Sequence, residues 1–392
     1  MDFHYTKAEE DLRERLSDFL ERELTENIAR QNWEDKGVGP EARQFSRKLA
    51  DNGFLGMSWP REYGGQGLPI AYEFILLDEL GKRWGAHVPL DIGYTMVGFT
   101  ILDHGSEEMK REFIPGIVGG EIEFCLGYSE PQAGSDLAAI DMRAVADGDD
   151  YIITGQKVFN TEAHYADYHW LAVRTDFSTD IPKHRGISIF IVDMDSPGIT
   201  IRPTITMSGE QTNDVYYDGV RVSKNRLVGE KNKGFYYMME AIDSERNAVF
   251  IPNRLYPVLN DIITYAKKTE YKGEPLIKDA VIRRKLAQLA IELDVAQLLA
   301  DRSRWLEGEG LPMTYEAEVT KVVTSELEQR LVNTGMELLG LYGQLQEDSG
   351  WAPLRGRISW YFLHQFMTTI GAGTSEIGRN VIAQRGLGLP RD

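Results

Sequence analysis

The chain is 392 residues long, which at about 100–200 residues per domain points to two or three domains. Hydrophobic residues make up 42% and charged residues 27%, a balance that excludes wholesale disorder. The formal net charge of −18, from 43 Lys and Arg against 61 Asp and Glu, repels phosphate backbones and anionic lipid surfaces, so neither nucleic acid nor a membrane is an expected partner.

The single cysteine, Cys125, can form no disulfide within the chain, and no N-x-S/T sequon occurs. The opening MDFHYTKAEEDLRERL lacks the apolar core of a signal peptide and the acid-poor character of a transit peptide. No apolar run approaches the roughly 18 residues a membrane helix needs. A cytoplasmic protein is expected.

From the N-terminus, Thr6 and Glu9 form a capping-box pattern, and Leu12, Leu16, Phe19, Leu20 and Leu24 recur at helical spacing. Further helices are predicted around 41–52, 70–84, 91–103 and 107–118, with Pro60, Gly64, Gly65 and Gly67 marking a turn. From about 140 to 228 the pattern changes to short β-rich runs: Met142–Ala146, Tyr151–Phe159, Trp170–Arg174, Ile187–Val192, Ile199–Ile205 and Asp214–Val222. Helical patterning returns after Gly234, in long segments near 235–267, 314–339 and 354–370. Ile282, Leu286, Leu289, Leu293, Ala296 and Ala300 form one continuous stripe. The expected architecture is α+β and multidomain: an N-terminal α-helical domain over 1–123, a central antiparallel β-barrel over 124–233, and a C-terminal four-helix bundle over 234–392.

No phosphate-binding GxxxxGK[ST], no HExxH and no GxSxG is present, and the seven histidines show no metal-ligand spacing, so no metal site is expected. One residue stands out from periodicity. After Gly234, Met238, Ala241, Ile242, Ala248 and Val249 share a helix face, and Glu245 falls on the same stripe. A carboxylate turned into an apolar cleft there would be raised toward neutrality and equipped as a general base. The plainer alternative is a glutamate at the edge of the stripe, paired with Arg246, and spacing alone leaves both open.

Three further segments carry chemistry only together. Tyr128-Ser129-Glu130-Pro131-Gln132-Ala133-Gly134-Ser135-Asp136 lies where helix gives way to β-structure, and its small and hydroxyl residues let a planar or phosphorylated ligand approach the backbone. Gly155-Gln156-Lys157-Val158-Phe159-Asn160-Thr161 is an apolar strand ending in an aromatic and a hydroxyl. Gly371-Ala372-Gly373-Thr374-Ser375-Glu376-Ile377 reads as a tight loop before a helix. Each alone is equally well a turn, a strand and a cap.

In this order, with Pro60-Arg61-Glu62-Tyr63-Gly64-Gly65 before them and Gly229-Glu230-x-Asn232-x-Gly234-Phe235 between, the segments resemble the acyl-CoA dehydrogenase flavoproteins over essentially the whole chain. The resemblance implies FAD-dependent α,β-dehydrogenation of an acyl-CoA thioester to the 2-enoyl-CoA, with electrons passed to electron-transferring flavoprotein. It implies Tyr128, Ser129, Gly134 and Ser135 along the flavin and the CoA pantetheine, with Ser135 also facing substrate. Phe159 and Thr161 lie against the isoalloxazine, Thr374 and Glu376 contact FAD, and Asp243 and Arg246 approach the CoA. Many members carry a catalytic Glu directly before Gly-Thr-Ser; here that residue is Ala372. A minority, including isovaleryl- and long-chain-type enzymes, place the base in an Asp-x-Glu-Arg setting on the first bundle helix, matched here by Asp243-Ser244-Glu245-Arg246. Glu245 is thus nominated twice, and the Ala372 N–H keeps the role of polarising the thioester.

Two departures bear on assembly. The Arg-x-x-Phe-Gly that many members use for FAD in a neighbouring subunit is replaced by Thr269-Glu270-Tyr271-Lys272-Gly273, and the usual Gln-x-x-Gly-Gly-x-Gly by Glu337-Leu338-Leu339-Gly340-Leu341-Tyr342-Gly343. They resemble the heteromeric branch acting on steroid side chains, dicarboxylates or ring acids, so a homotetramer or a heterotetramer with a related chain is expected. FAD is then held through Arg283 or Arg284, or through a partner subunit. Two other readings stay open: a flavin oxidase or monooxygenase on the same fold, and a non-catalytic partner subunit. Arg254 is expected in an ordinary surface salt bridge.

Overall fold

The computed structural model describes residues 4–25, 28, 39–84, 90, 92–311, 313–347 and 349–390, and leaves out the side chains of Trp84 and Val249. The chain packs as two compact units. One holds Phe19–Glu73 and Pro89–Glu245, the other Met1–Asp18, Phe74–Val88 and Arg246–Asp392. No described helix is long and apolar enough to cross a membrane.

The helix α1 (Lys7–Glu23) opens on the expected capping box: the Thr6 N–H donates to Glu9 Oε2 at 2.6 Å and the Glu9 N–H to Thr6 Oγ1 at 3.4 Å. In the first unit, α2 (Pro40–Asp51) begins on a proline and buries Ala42, Phe45 and Leu49. Helix α3 (Ala71–Trp84) begins in this unit and runs into the other. The turn after Trp59 is tight because a Cβ on Gly65 would lie 2.2 Å from the Trp59 carbonyl oxygen, which makes Gly64–Gly67 a packing turn. The predicted helix over 91–103 differs in detail. Gly93–Val97 forms a π-helical turn, and α4 (Gly98–His104) follows directly. Helix α5 (Glu107–Val118) is capped by Ser106, whose hydroxyl accepts the Met109 N–H at 3.2 Å.

The β-rich runs form one seven-stranded sheet: β1 (Phe124–Gly127), β2 (Arg143–Asp147), β3 (Asp150–Lys157), β4 (Tyr168–Arg174), β5 (Ile187–Asp193), β6 (Ile199–Ile205) and β7 (Gln211–Ser223). The order is β1-β4-β2-β3-β7-β6, with β5 on the opposite edge of β4. The sheet is mixed, not wholly antiparallel, because β1 and β2 both pair parallel with β4. Strand β1 is absent from the sequence-based expectation; its four residues are too few to show alternation. Inward residues such as Ile153, Leu171, Phe190 and Val215 make the sheet's core.

Helix α6 (Gly234–Val249) crosses from the first unit to the second between Glu245 and Arg246. The helix expected over 235–267 is broken: Pro252 has no N–H to donate, so Pro252–Arg254 make a 3₁₀ turn before α7 (Leu255–Lys268) begins. A two-stranded hairpin, Glu270–Tyr271 with Glu274–Pro275, occupies the segment that departs from Arg-x-x-Phe-Gly. Helix α8 (Ala280–Gly308) buries Leu286, Leu289, Leu293, Ala296 and Ala300, with Ile282 half-buried. Helix α9 (Glu316–Leu339) is central to this unit, packing on α7, α8, α10 (Arg357–Thr368) and α11 (Ser375–Val381). That centrality buries charged residues, and it corrects the expectation for Arg254. With 4% exposure, Arg254 is no surface residue: its Nη2 donates at 2.5 Å to Glu328 of α9, which is fully buried.

Candidate active site

In the first unit, the Tyr128–Asp136 and Val158–Thr161 segments are tied together below the sheet ends. The Val158 N–H donates to the Ser129 carbonyl at 2.9 Å. Lys157, wholly buried at the end of β3, donates from Nζ to the Tyr128 carbonyl at 3.1 Å and to Glu130 Oε1 at 2.7 Å. Glu130 also accepts the Asp141 and Met142 N–H groups at 2.7 and 3.0 Å and the Gln132 amide at 2.6 Å. Burial lowers the Lys157 pKa to about 8, with the Glu130 charge opposing the fall. Neither Lys157 nor Glu130 is among the sequence-derived candidates. A lone lysine inside an apolar strand is the signal that marks them.

Tyr128 is buried and its hydroxyl accepts the Trp170 indole N–H at 3.0 Å. Burial pushes the hydroxyl's pKa far up, the Trp170 bond opposes this, and the Glu245 charge adds to the rise. Tyr128 and Glu245 are therefore within electrostatic reach of each other. Glu245 is half-buried on α6, on the stripe whose Met238, Ala241, Ile242 and Ala248 are buried; Asp243 is also half-buried. The Val249 side chain, expected on this stripe, lies outside the described residues.

The other residues of these segments have the character of a ligand face. Phe159 is 69% exposed and has φ of 58°. A bulky residue is rarely held left-handed without cause, and such strain gathers at functional sites. The turn is fixed from behind: the Asn160 N–H donates to the Asn213 carbonyl at 2.8 Å and Asn213 Nδ2 returns a bond to the Asn160 carbonyl at 2.9 Å. The buried Asn160 Oδ1 has no hydrogen-bond partner among the described residues. Ser129 and Thr161 are half-buried, while Gly134 and Ser135 are exposed. A Cβ on Gly134 would meet nothing within 4 Å, and its φ is not left-handed, so the fold alone does not require glycine there. An open glycine, an outward aromatic and nearby hydroxyls fit a flat ring ligand such as a flavin.

In the second unit, Thr374 caps α11, accepting the Ile377 N–H at 3.2 Å, and Glu376 is exposed in the first turn. Ala372 and Gly373 are both left-handed, with φ of 51° and 92°. Arg246, buried, donates from Nε and Nη2 to the Ala372 carbonyl at 3.1 and 2.9 Å, and its Nη1 pairs with Glu318 at 2.9 Å. Lys321 Nζ donates to the Gly373 carbonyl at 2.5 Å. The structure thus brings together Arg246, Ala372 and the start of α11. Glu318 and Lys321 are absent from the sequence-derived candidates, since nothing in the spacing links α9 to the 371–374 loop.

Three family models match in chain order: "Acyl-CoA dehydrogenase, N-terminal domain" over residues 6–121, the middle domain over 125–220 and the C-terminal domain over 232–387. The chain belongs to the acyl-CoA dehydrogenase family. It is similar to acyl-CoA dehydrogenase FadE26 of Mycobacterium tuberculosis (strain ATCC 25618 / H37Rv), at 36% identity over 100% of this chain and 99% of the relative. Among solved structures it resembles the Tcur3481-Tcur3483 steroid ACAD, with TM-score 0.90 and 34% identity over the whole of both chains. It also resembles the ChsE4-ChsE5 complex from Mycobacterium tuberculosis, with TM-score 0.89 and 35% identity over the whole of both chains. This acyl-CoA dehydrogenase family member is an FAD-dependent oxidoreductase acting on acyl-CoA, with a helical N-terminal domain, a middle β domain built on a curled sheet and a helical C-terminal domain.

Proposed function

We propose that Glu245 is the base that removes the α-proton of an acyl-CoA, leading to the 2-enoyl-CoA. The observation that carries this is the half-buried Glu245 carboxylate on the apolar face of α6, within electrostatic reach of the buried Tyr128 hydroxyl, in a chain with Ala372 at the alternative base position. The α-proton passes to Glu245, and the charge left on the thioester oxygen is met by the Ala372 N–H, which donates to no acceptor among the described residues. Bound FAD supplies the two-electron acceptor that takes the β-hydrogen as hydride. Tyr128, Ser129, Gly134, Ser135, Phe159, Thr161, Thr374 and Glu376 are the residues we assign to holding the cofactor. Asp243 and Ser135 face the CoA thioester, and Arg246 serves the substrate through Ala372, whose carbonyl it holds. We keep the boundaries 123/124 and 233/234, the curled sheet as the family's β-barrel, and 234–392 as its four-helix bundle.

The likeness to a steroid ACAD and to a two-protein complex supports a bulky ring or steroid side-chain substrate and a heterotetramer with a related chain. Electron-transferring flavoprotein in the cytoplasm is the proposed acceptor. Exposed Leu341, Trp351, Ile370 and Leu387, all in the second unit, support assembly with another subunit. They also keep the non-catalytic partner reading in view, which predicts a colourless chain when purified alone. The deciding experiment is Glu245→Gln, assayed by flavin bleaching with a panel of ring-bearing and linear acyl-CoAs. Retained yellow colour with bleaching slowed about 10²–10⁴-fold is expected. Wild-type-like bleaching in the variant removes Glu245 from the role.

A further inference from the structure

The loop 371–374 is held by buried charge to an extent its own sequence does not announce. Two consecutive carbonyls, those of Ala372 and Gly373, each accept from a different buried cation: Arg246 of α6 at 2.9 and 3.1 Å, and Lys321 of α9 at 2.5 Å. Lys321 is wholly buried and Glu318, one turn before it on α9, is nearly so. Glu318 pairs with Arg246 at 2.9 Å and fixes the guanidinium. Helix α11 lies close on the same face of α9, since a Cβ on Gly378 would sit 2.8 Å from Val322 and 3.0 Å from Glu318 Oε2. A Cβ on Gly373 would lie 2.9 Å from Arg246 Nη2, so the guanidinium also fills the space beside the loop.

The consequence is directional. Both peptide carbonyls are pinned toward α6 and α9, and Ala372 is fixed left-handed, a conformation that persists in a non-glycine residue only where surrounding contacts impose it. The planar peptides fix the Gly373 and Thr374 N–H groups with those carbonyls, and the Ala372 N–H is restrained one step further back, across the left-handed Ala372 backbone whose carbonyl Arg246 holds.

We propose that Lys321 and Glu318 are positioning residues for the Ala372 N–H: Lys321 by holding the Gly373 carbonyl, and Glu318 by holding Arg246 on the Ala372 carbonyl. This rests on the reading of Ala372 as thioester donor given above. Both side chains are buried, Lys321 on the loop carbonyl and Glu318 on Arg246. The groups facing Lys321 are Arg246 from α6, Glu318 and Glu326 from α9, Glu376 from α11 and the Phe250 ring, 5.5 Å from Nζ. Burial, then the Arg246 charge, lower the Lys321 pKa to about 8, with Glu318, Glu376 and Glu326 opposing. The cation that holds the loop is therefore lost in mildly alkaline solution.

The test uses the flavin-loaded protein and acetoacetyl-CoA, whose α-carbon ionises to an enolate that is followed by its ultraviolet absorbance, together with hydrogen exchange of the 369–376 peptide. Wild type is expected to favour the bound enolate over the free one, and to lose part of that preference above about pH 8. Lys321→Met is expected to lose about tenfold in enolate preference at pH 7, to exchange faster across 369–376, and to bind free CoA within about twofold of wild type. Lys321→Arg restores the preference and carries it to higher pH. Glu318→Gln, expected to lose about threefold, gives the same reading if Lys321→Met does not fold. Enolate preference and loop exchange unchanged in Lys321→Met, or in Glu318→Gln when that variant stands in, overturn the proposal. A wild type that does not bind or ionise acetoacetyl-CoA overturns instead the reading of Ala372 on which it rests.

Discussion

Removing either partner of the Lys157–Glu130 pair should have unequal effects, and the structure sets the inequality. Lys157 donates two bonds, to Glu130 and to the Tyr128 carbonyl, while Glu130 accepts four, from Lys157, Gln132 and the Asp141 and Met142 amides. A lysine held at about 8 instead of 10.5 is disfavoured as a cation by about 3 kcal/mol. Lys157→Met relieves that cost and loses two hydrogen bonds at about 1.5–3 kcal/mol each, so the net loss should be only about 0–3 kcal/mol. Glu130→Gln sets an amide NH₂ against backbone donors, loses at least two charged hydrogen bonds, and should cost about 3–6 kcal/mol. Native-state hydrogen exchange at β3 amides reports the local stability without assuming that the whole chain unfolds in one step. Between pH 8 and 10.5 the unfolded lysine keeps its proton while the folded one has lost it. Wild type therefore gains stability as the pH rises through that window, and Lys157→Met does not. A Lys157→Met variant losing more than Glu130→Gln, or keeping the alkaline gain, would refute the reasoning.

Phe159→Gly should relieve a left-handed φ and remove an exposed ring, leaving the thermal midpoint unchanged or raised, while equilibrium dialysis shows weaker FAD binding by about tenfold. Tighter or equal FAD binding would mean the ring has no part in holding the cofactor. Gly134→Ala has room for its methyl group, so it should fold with wild-type circular dichroism and lose affinity for FAD or CoA by calorimetry; unchanged affinity for both would return Gly134 to an ordinary turn. Glu328→Gln removes the buried carboxylate that Arg254 meets at 2.5 Å and should lower stability by about 3–5 kcal/mol, read as a fall in thermal midpoint, and a fall under one degree would contradict the burial.

Much of the architecture is legible because local chemistry sets the ends of elements. The Thr6–Glu9 box, the Asp147-Gly148-Asp149-Asp150 turn between β2 and β3, and the apolar stripe of α8 each act over a few residues. What stayed hidden acts over distance. Lys157 and Glu130 are 27 residues apart, Arg254 and Glu328 74, and Lys321 and Gly373 52, and no periodicity connects them. Each pair is decided by which helix or strand lies next to which. The break at Pro252 was readable from the proline itself, but Phe250 and Ile251 continue the apolar stripe and conceal it. Glu245 is the converse case: its place on the stripe follows from spacing, whereas its half-burial and its electrostatic link to Tyr128 needed the fold.

Motif residues divide in the same way within each motif, and the division explains why both kinds occur together. In Tyr128–Asp136, Glu130 is spent on internal donors while Gly134 and Ser135 stay open. In Gly155–Thr161, Lys157 is buried and Phe159 projects. In Gly371–Ile377, Thr374 caps a helix and the two carbonyls are pinned, while the Ala372 N–H meets no acceptor among the described residues. A ligand-facing group on a loop loses binding energy to every conformation the loop can visit. An anchoring residue two to four positions away removes those conformations at the cost of burying a charge. The charged anchors are accordingly the buried ones, and replacing an anchor should disturb ligand geometry while leaving every ligand-contacting side chain in place.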